Sequence, residues 1–111
     1  MGGLARLEIA DRDLLVFSNL DTTRATRERV SVWLSADGGR TWPLKRLVDA
    51  GPSAYSSLAA GRPGTPSEGW IYLFYEGGPG GRGGQVARFN LAWLLKGTPT
   101  GDGTMPAWPA P

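Results

Sequence analysis

The 111 residues include no histidine and no cysteine, so any chemistry here must run on Asp, Glu, Tyr, Ser, Lys or Arg. That removes the commonest general base, the thiol nucleophile, and imidazole or thiolate metal sites. The most conspicuous carboxylate lies in Ser35-Ala36-Asp37-Gly38-Gly39-Arg40-Thr41-Trp42. The pattern Ser-x-Asp-x-Gly-x-Thr-Trp tempts one to make Asp37 a catalytic acid. A tight hairpin turn is the stronger reading. Asp37 can bond turn amides, Gly38 and Gly39 tolerate positive φ, and Trp42 can pack back under the loop. Elsewhere the chemistry-bearing residues are Tyr55 in Gly51-Pro52-Ser53-Ala54-Tyr55-Ser56, the arginines Arg24, Arg27 and Arg29, and Glu76. By residue type alone, Tyr55 reads as a half-buried sheet tyrosine, Arg27 as a solvated loop arginine and Glu76 as a surface glutamate.

The elements that would carry these residues are short. Seven apolar stretches, Ala5–Ala10, Asp13–Ser18, Val30–Ser35, Lys45–Val48, Ser56–Ala60, Trp70–Glu76 and Gln85–Asn90, are each bounded by turn residues. Val30–Ser35 is β-branched or bulky with partial alternation, and Trp70–Tyr75 is apolar enough for a strand buried on both faces. Leu91–Leu95 could make one helical turn, and no segment sustains a helical period, so the chain reads as all-β. Glycine (17) and proline (9) make up about a quarter of the residues. They fall between apolar runs, as turns do in an all-β protein, and the hydrophobic fraction of 41% allows a packed core. From Gly97 the sequence turns to Gly, Pro and Thr, which predicts a flexible tail over 97–111 after one domain over 1–96.

Charge and hydropathy prune partners. The net charge is +2 and the basic residues are scattered, so no face is basic enough to suggest nucleic acid. No apolar run approaches a membrane span, and the N-terminus lacks a signal-peptide core.

The eight-residue pattern is an Asp-box, the turn found on blades of β-propellers with several unrelated activities. Around it stand Leu14-Leu15-Val16-Phe17-Ser18-Asn19, the arginine cluster, Gly51-Pro52-Ser53-Ala54-Tyr55-Ser56-Ser57-Leu58, Leu73-Phe74-Tyr75-Glu76 and Ala87-Arg88-Phe89-Asn90-Leu91. In this order, over residues 4–96, they resemble the C-terminal part of the exo-α-sialidases (neuraminidases). The resemblance implies about two blades of a six-bladed propeller. It implies a parent enzyme that hydrolyses terminal α-linked sialic acids on glycoproteins, glycolipids and oligosaccharides with retention, without metal or cofactor. A bacterial parent would be secreted or held at the cell surface.

The resemblance also implies roles. Tyr55 corresponds to the family's nucleophile, the tyrosine exception among glycosidases. A carboxylate nucleophile would meet the carboxylate of sialic acid, whereas a phenol is neutral until a neighbouring base takes its proton. Arg27, eight positions before the box serine, corresponds to one of three arginines that grip that carboxylate, with Arg24 the alternative. Glu76, 21 positions after Tyr55, corresponds to a glutamate that orients another of the three. Ser35, Asp37, Gly39, Thr41 and Trp42 are structural. Leu20 and Ser57 depart from the family's usual proline and aspartate. The other two arginines, the aspartate acid/base and the activating glutamate match nothing here, so the chain alone is expected to be inactive. The competing expectation is a non-catalytic Asp-box propeller that binds glycan or protein.

Overall fold

The computed structural model describes residues 2–9, 12–23, 26–78 and 83–106. Six antiparallel strands follow one another in space as in sequence: β1 (Gly3–Ile9), β2 (Arg12–Leu20), β3 (Glu28–Ser35), β4 (Leu44–Ala60), β5 (Trp70–Gly77) and β6 (Gly83–Asn90). A helical turn, α1 (Leu91–Leu95), and a two-residue strand, β7 (Thr98–Pro99), complete the chain. The all-β expectation holds, with α1 where it was predicted.

The two stretches expected at Lys45–Val48 and Ser56–Ala60 are parts of the single 17-residue β4. Its first part pairs with β3, from Leu44 opposite Leu34 to Pro52 opposite Glu28. From Ser53 onward it pairs with β5, ending with Ala60 opposite Ile71. Pro52 stands where the strand changes partner, and an interrupted ladder is where a strand proline is tolerated. β4 thus belongs to two antiparallel units at once.

The core draws on both units. Leu14 and Val16 of β2, Val30, Val32 and Leu34 of β3, and Ile71 and Leu73 of β5 are fully buried, joined by Phe89, Leu91 and Leu94. Along β2 and β3 these residues sit at every second position, so the alternation seen in the sequence is the inward face of each strand. Burying each such side chain contributes about 1.5–3 kcal/mol. A buried serine, Ser18, links the units. Ser18 Oγ lies 2.9 Å from Ser56 Oγ and accepts the Gly3 amide at 2.9 Å.

Helix α1 is capped by Asn90, whose side-chain oxygen accepts the Trp93 amide at 3.0 Å. Arg46 fastens this turn to β4. Its guanidinium donates to the Trp93 carbonyl at 2.6 Å and lies 4.1 Å from the centre of the Trp93 ring.

The segment read as a tail is tied down over its first residues. Thr98 and Pro99 pair with Lys45 and Leu44, and the Thr100 amide donates to the Pro43 carbonyl at 2.9 Å. The Thr100 hydroxyl donates to the Trp42 carbonyl at 2.6 Å, and the Trp42 amide donates to Asp102 Oδ2 at 2.9 Å. The backbone groups of Trp42 and Pro43 need partners beside the box, and the segment supplies them. Residues 107–111 lie outside the described residues. Among the described residues, no helix is long and apolar enough to cross a membrane.

Candidate active site

Of the residues singled out in the sequence, the Asp-box is a closed turn. Asp37 Oδ1 accepts the Thr41 amide at 2.9 Å and Oδ2 accepts the Thr41 hydroxyl at 2.6 Å. The Ser35 hydroxyl donates to Asp37 Oδ1 and accepts the Gly39 amide, both at 2.9 Å. Gly38 and Gly39 have φ of 75° and 89°, which explains their type. The Trp42 indole donates to the Gly39 carbonyl at 3.1 Å, and its ring centre lies 5.9 Å from that of Phe17. Hydrogen bonds from Thr41, side chain first and then backbone, hold the Asp37 carboxyl down at about 2. A carboxylate so fully engaged is a turn component, not a general acid.

Tyr55, Arg27 and Glu76 come from three separate segments and meet. Tyr55 follows the partner switch of β4, inside a register shift between Ser53 and Ser56. The shift leaves the Tyr55 amide to an acceptor outside the regular ladder, and Glu76 Oε1 on β5 takes it at 3.4 Å. Arg27 immediately precedes β3. Its guanidinium carbon lies 5.7 Å from the centre of the Tyr55 ring. Its carbonyl accepts the Ser53 amide at 3.0 Å.

Tyr55 is 50% exposed on β4, in keeping with the half-buried sheet tyrosine suggested by residue type, and its ring also stands beside a cation. Among the described residues, nothing hydrogen-bonds its hydroxyl, and Glu76 Oε1 faces the Tyr55 backbone amide. An open groove of about 540 Å³ runs from Tyr55 and Glu76 past Ser57, Phe74 and Val86. Arg24, the alternative to Arg27, lies outside the described residues.

Two features escaped the sequence reading. Tyr75 donates its hydroxyl to Asp49 Oδ2 at 2.9 Å, while Asp49 Oδ1 accepts the Gly51 amide at 2.8 Å. Burial first, and then this bond to a carboxylate, push the Tyr75 phenol up. It is a brace for the segment leading to Tyr55. Arg29 has a φ of 66°, a left-handed conformation that residues other than glycine rarely adopt. The only sequence signal for either was proximity to the residues already singled out.

No family model matches the chain. A sialidase of Micromonospora viridifaciens is 38% identical over 81 residues, which are 73% of this chain and 11% of that protein. Among solved structures, the Hadza microbial sialidase Hz136 superposes with a TM-score of 0.68 at 29% identity, covering 85% of this chain and 18% of the other. The fold is thus part of a sialidase-type β-propeller, about two blades sharing β4. The chain belongs to the sialidase family. It spans about a tenth of the length of the curated relative it matches.

Proposed function

We propose that this chain is the part of an exo-α-sialidase that supplies the nucleophile, Tyr55, one carboxylate-binding arginine, Arg27, and an orienting glutamate, Glu76. One observation carries the reading: a guanidinium set over an exposed phenol, from a segment distant in sequence. The pairing brings to one place the two residues to which the sialidase resemblance assigns chemistry, 28 positions apart in sequence.

In the proposed reaction Arg27 takes a carboxylate oxygen of a terminal α-linked sialic acid and turns the anomeric carbon toward Tyr55. A carboxylate from another segment removes the phenol proton. The phenolate oxygen then bonds to the anomeric carbon as the bond to the aglycone breaks, and the leaving oxygen takes a proton from an aspartate acid. Water, deprotonated by the same aspartate, then attacks the anomeric carbon from the face the aglycone left, as the bond to the Tyr55 oxygen breaks and that oxygen takes its proton back from the activating carboxylate. Two inversions give retention. The tyrosine suits the substrate because it approaches the sugar's carboxylate without a charge of its own until proton transfer. Sialylated glycoproteins, glycolipids and oligosaccharides are the proposed substrates.

The test is covalent trapping. A 3-fluorosialosyl fluoride slows both steps and lets the glycosyl-enzyme accumulate. In the complete enzyme, peptide mass spectrometry is expected to find the label on Tyr55. A label on any other side chain overturns the assignment. The 111-residue chain by itself is expected to turn over no fluorogenic sialoside. Measurable release would place the missing base and acid within it.

A further inference from the structure

The approach of Arg27 to Tyr55 passes through an irregularity in the β3–β4 ladder. The register shifts between Glu28 and Val30 and again between Val30 and Ser31, and Arg29, between the first two, is the residue with φ of 66°. Such bulges bend a strand and re-aim its side chains. The bulge is tied on its outer side to Asp21, whose amide donates to the Arg29 carbonyl at 2.9 Å and whose carbonyl accepts from Arg29 Nε at 3.0 Å. The Ser31 hydroxyl donates to the Arg29 carbonyl at 3.1 Å.

On the inner side one residue spans the irregularity. The Ser53 amide donates to the Arg27 carbonyl, before the bulge, at 3.0 Å. The Ser53 hydroxyl accepts the amide of Val30, after the bulge, at 3.1 Å. Val30 is fully buried and Ser53 is 1% exposed, so water cannot stand in for either partner. Ser53 is also two positions before Tyr55 on β4.

We propose that Ser53 is a positioning residue that clamps the bulge at Arg29 and so holds the Arg27 guanidinium against the Tyr55 ring. The proposal deepens the site reading above and rests on it for its catalytic meaning, but the clamp can be tested without any sialoside. Ser53→Ala removes the acceptor of the Val30 amide and leaves the amide bond to Arg27. Ser53→Thr keeps both.

In nuclear magnetic resonance spectra of the full chain, cross-peaks between the Arg27 side chain and the Tyr55 ring are expected in the unaltered protein. They should be lost in Ser53→Ala with the amide dispersion kept, and restored in Ser53→Thr. Full cross-peaks in a folded Ser53→Ala chain overturn the clamp. Should Ser53→Ala fail to fold, exchange of the Val30 amide in the unaltered chain decides. Strong protection supports the clamp, and exchange at the rate of an open peptide overturns it.

In the complete enzyme Ser53→Ala should raise KM for a sialoside on the order of tenfold with kcat within about twofold, as for loss of one hydrogen bond's worth of uniform binding. A loss of kcat alone, the mark of fewer folded molecules, overturns the positioning role. Failure of the site reading appears separately, as a trapped label away from Tyr55 while the cross-peaks behave as expected.

Discussion

The Arg27 guanidinium lies 5.7 Å from the centre of the Tyr55 ring, although 28 positions separate the two residues and they lie in different segments. A cation over an aromatic face at an exposed position contributes about 0.5–1 kcal/mol. That is too little to hold the pair in place alone. Beside it, the Ser53 amide donates to the Arg27 carbonyl at 3.0 Å and ties the two segments together.

Tyr55→Phe keeps the ring and therefore the Arg27 contact, but deletes the atom proposed to attack. In the complete enzyme, turnover of a fluorogenic sialoside should fall by roughly 10³-fold or more, as when a nucleophile is removed. Binding of free sialic acid, read by calorimetry, should change by less than about threefold, since only the hydroxyl is lost. Unchanged turnover would move the nucleophile elsewhere.

Arg27→Lys tests whether the planar fork matters or only the charge. A lysine keeps the cation but not the paired donors. KM is expected to rise about 10- to 100-fold, since hydrogen bonds to charged groups contribute about 1.5–3 kcal/mol. A lysine variant with unaltered KM would mean that Arg27 does not bind the substrate carboxylate.

Asp37 predicts an acid dependence of stability. Its carboxyl is lowered from 3.8 to about 2 by Thr41, then by Ser35 and Arg40, so the folded state favours the ionised form. The contribution is complete above the unfolded value and is lost as pH falls from about 3.8 through about 2. Asp37→Asn cannot accept the Thr41 hydroxyl at its amide nitrogen. It should lower the melting temperature near neutrality and flatten the loss across that acid window. Parallel curves for the two proteins would dismiss the assignment.

Asp102 predicts what holds the C-terminal segment. Asp102→Ala frees the Trp42 amide, a bond between residues 60 positions apart and exposed to water. Stability should fall by about 0.5–1.5 kcal/mol at most. Limited proteolysis should cut faster after Gly97 while the strands stay intact. An unchanged cutting rate would mean that β7 and Thr100 suffice.

What could be read from sequence divides by range. The Asp-box turn was legible because the side chains of Ser35, Asp37, Thr41 and Trp42 hydrogen-bond within the box itself. The helical turn after Asn90 was legible because its cap is three residues from its partner. Continuity through Gly51-Pro52 was not, since both residues end most strands, and only the exchange of β3 for β5 as partner makes room for them. The docking of Thr100 and Asp102 on Trp42 was hidden in a polar, glycine-rich stretch whose partners lie far upstream. At the proposed site, Tyr55 and Arg27 were singled out through resemblance, not residue type. The Ser53 bonds that join their segments require a bulge that no local pattern announces.

Because β4 serves both sheets, its length is a fixed gauge between them. Successive side chains of a strand point to opposite faces, so removing or adding one residue between Leu44 and Tyr55 would send the phenol to the other side. It would also shift every pairing with either β3 or β5. Loops such as 61–69 have room for insertions, but this span has none. Lengths along it should be as invariant among working relatives as the side chains it presents.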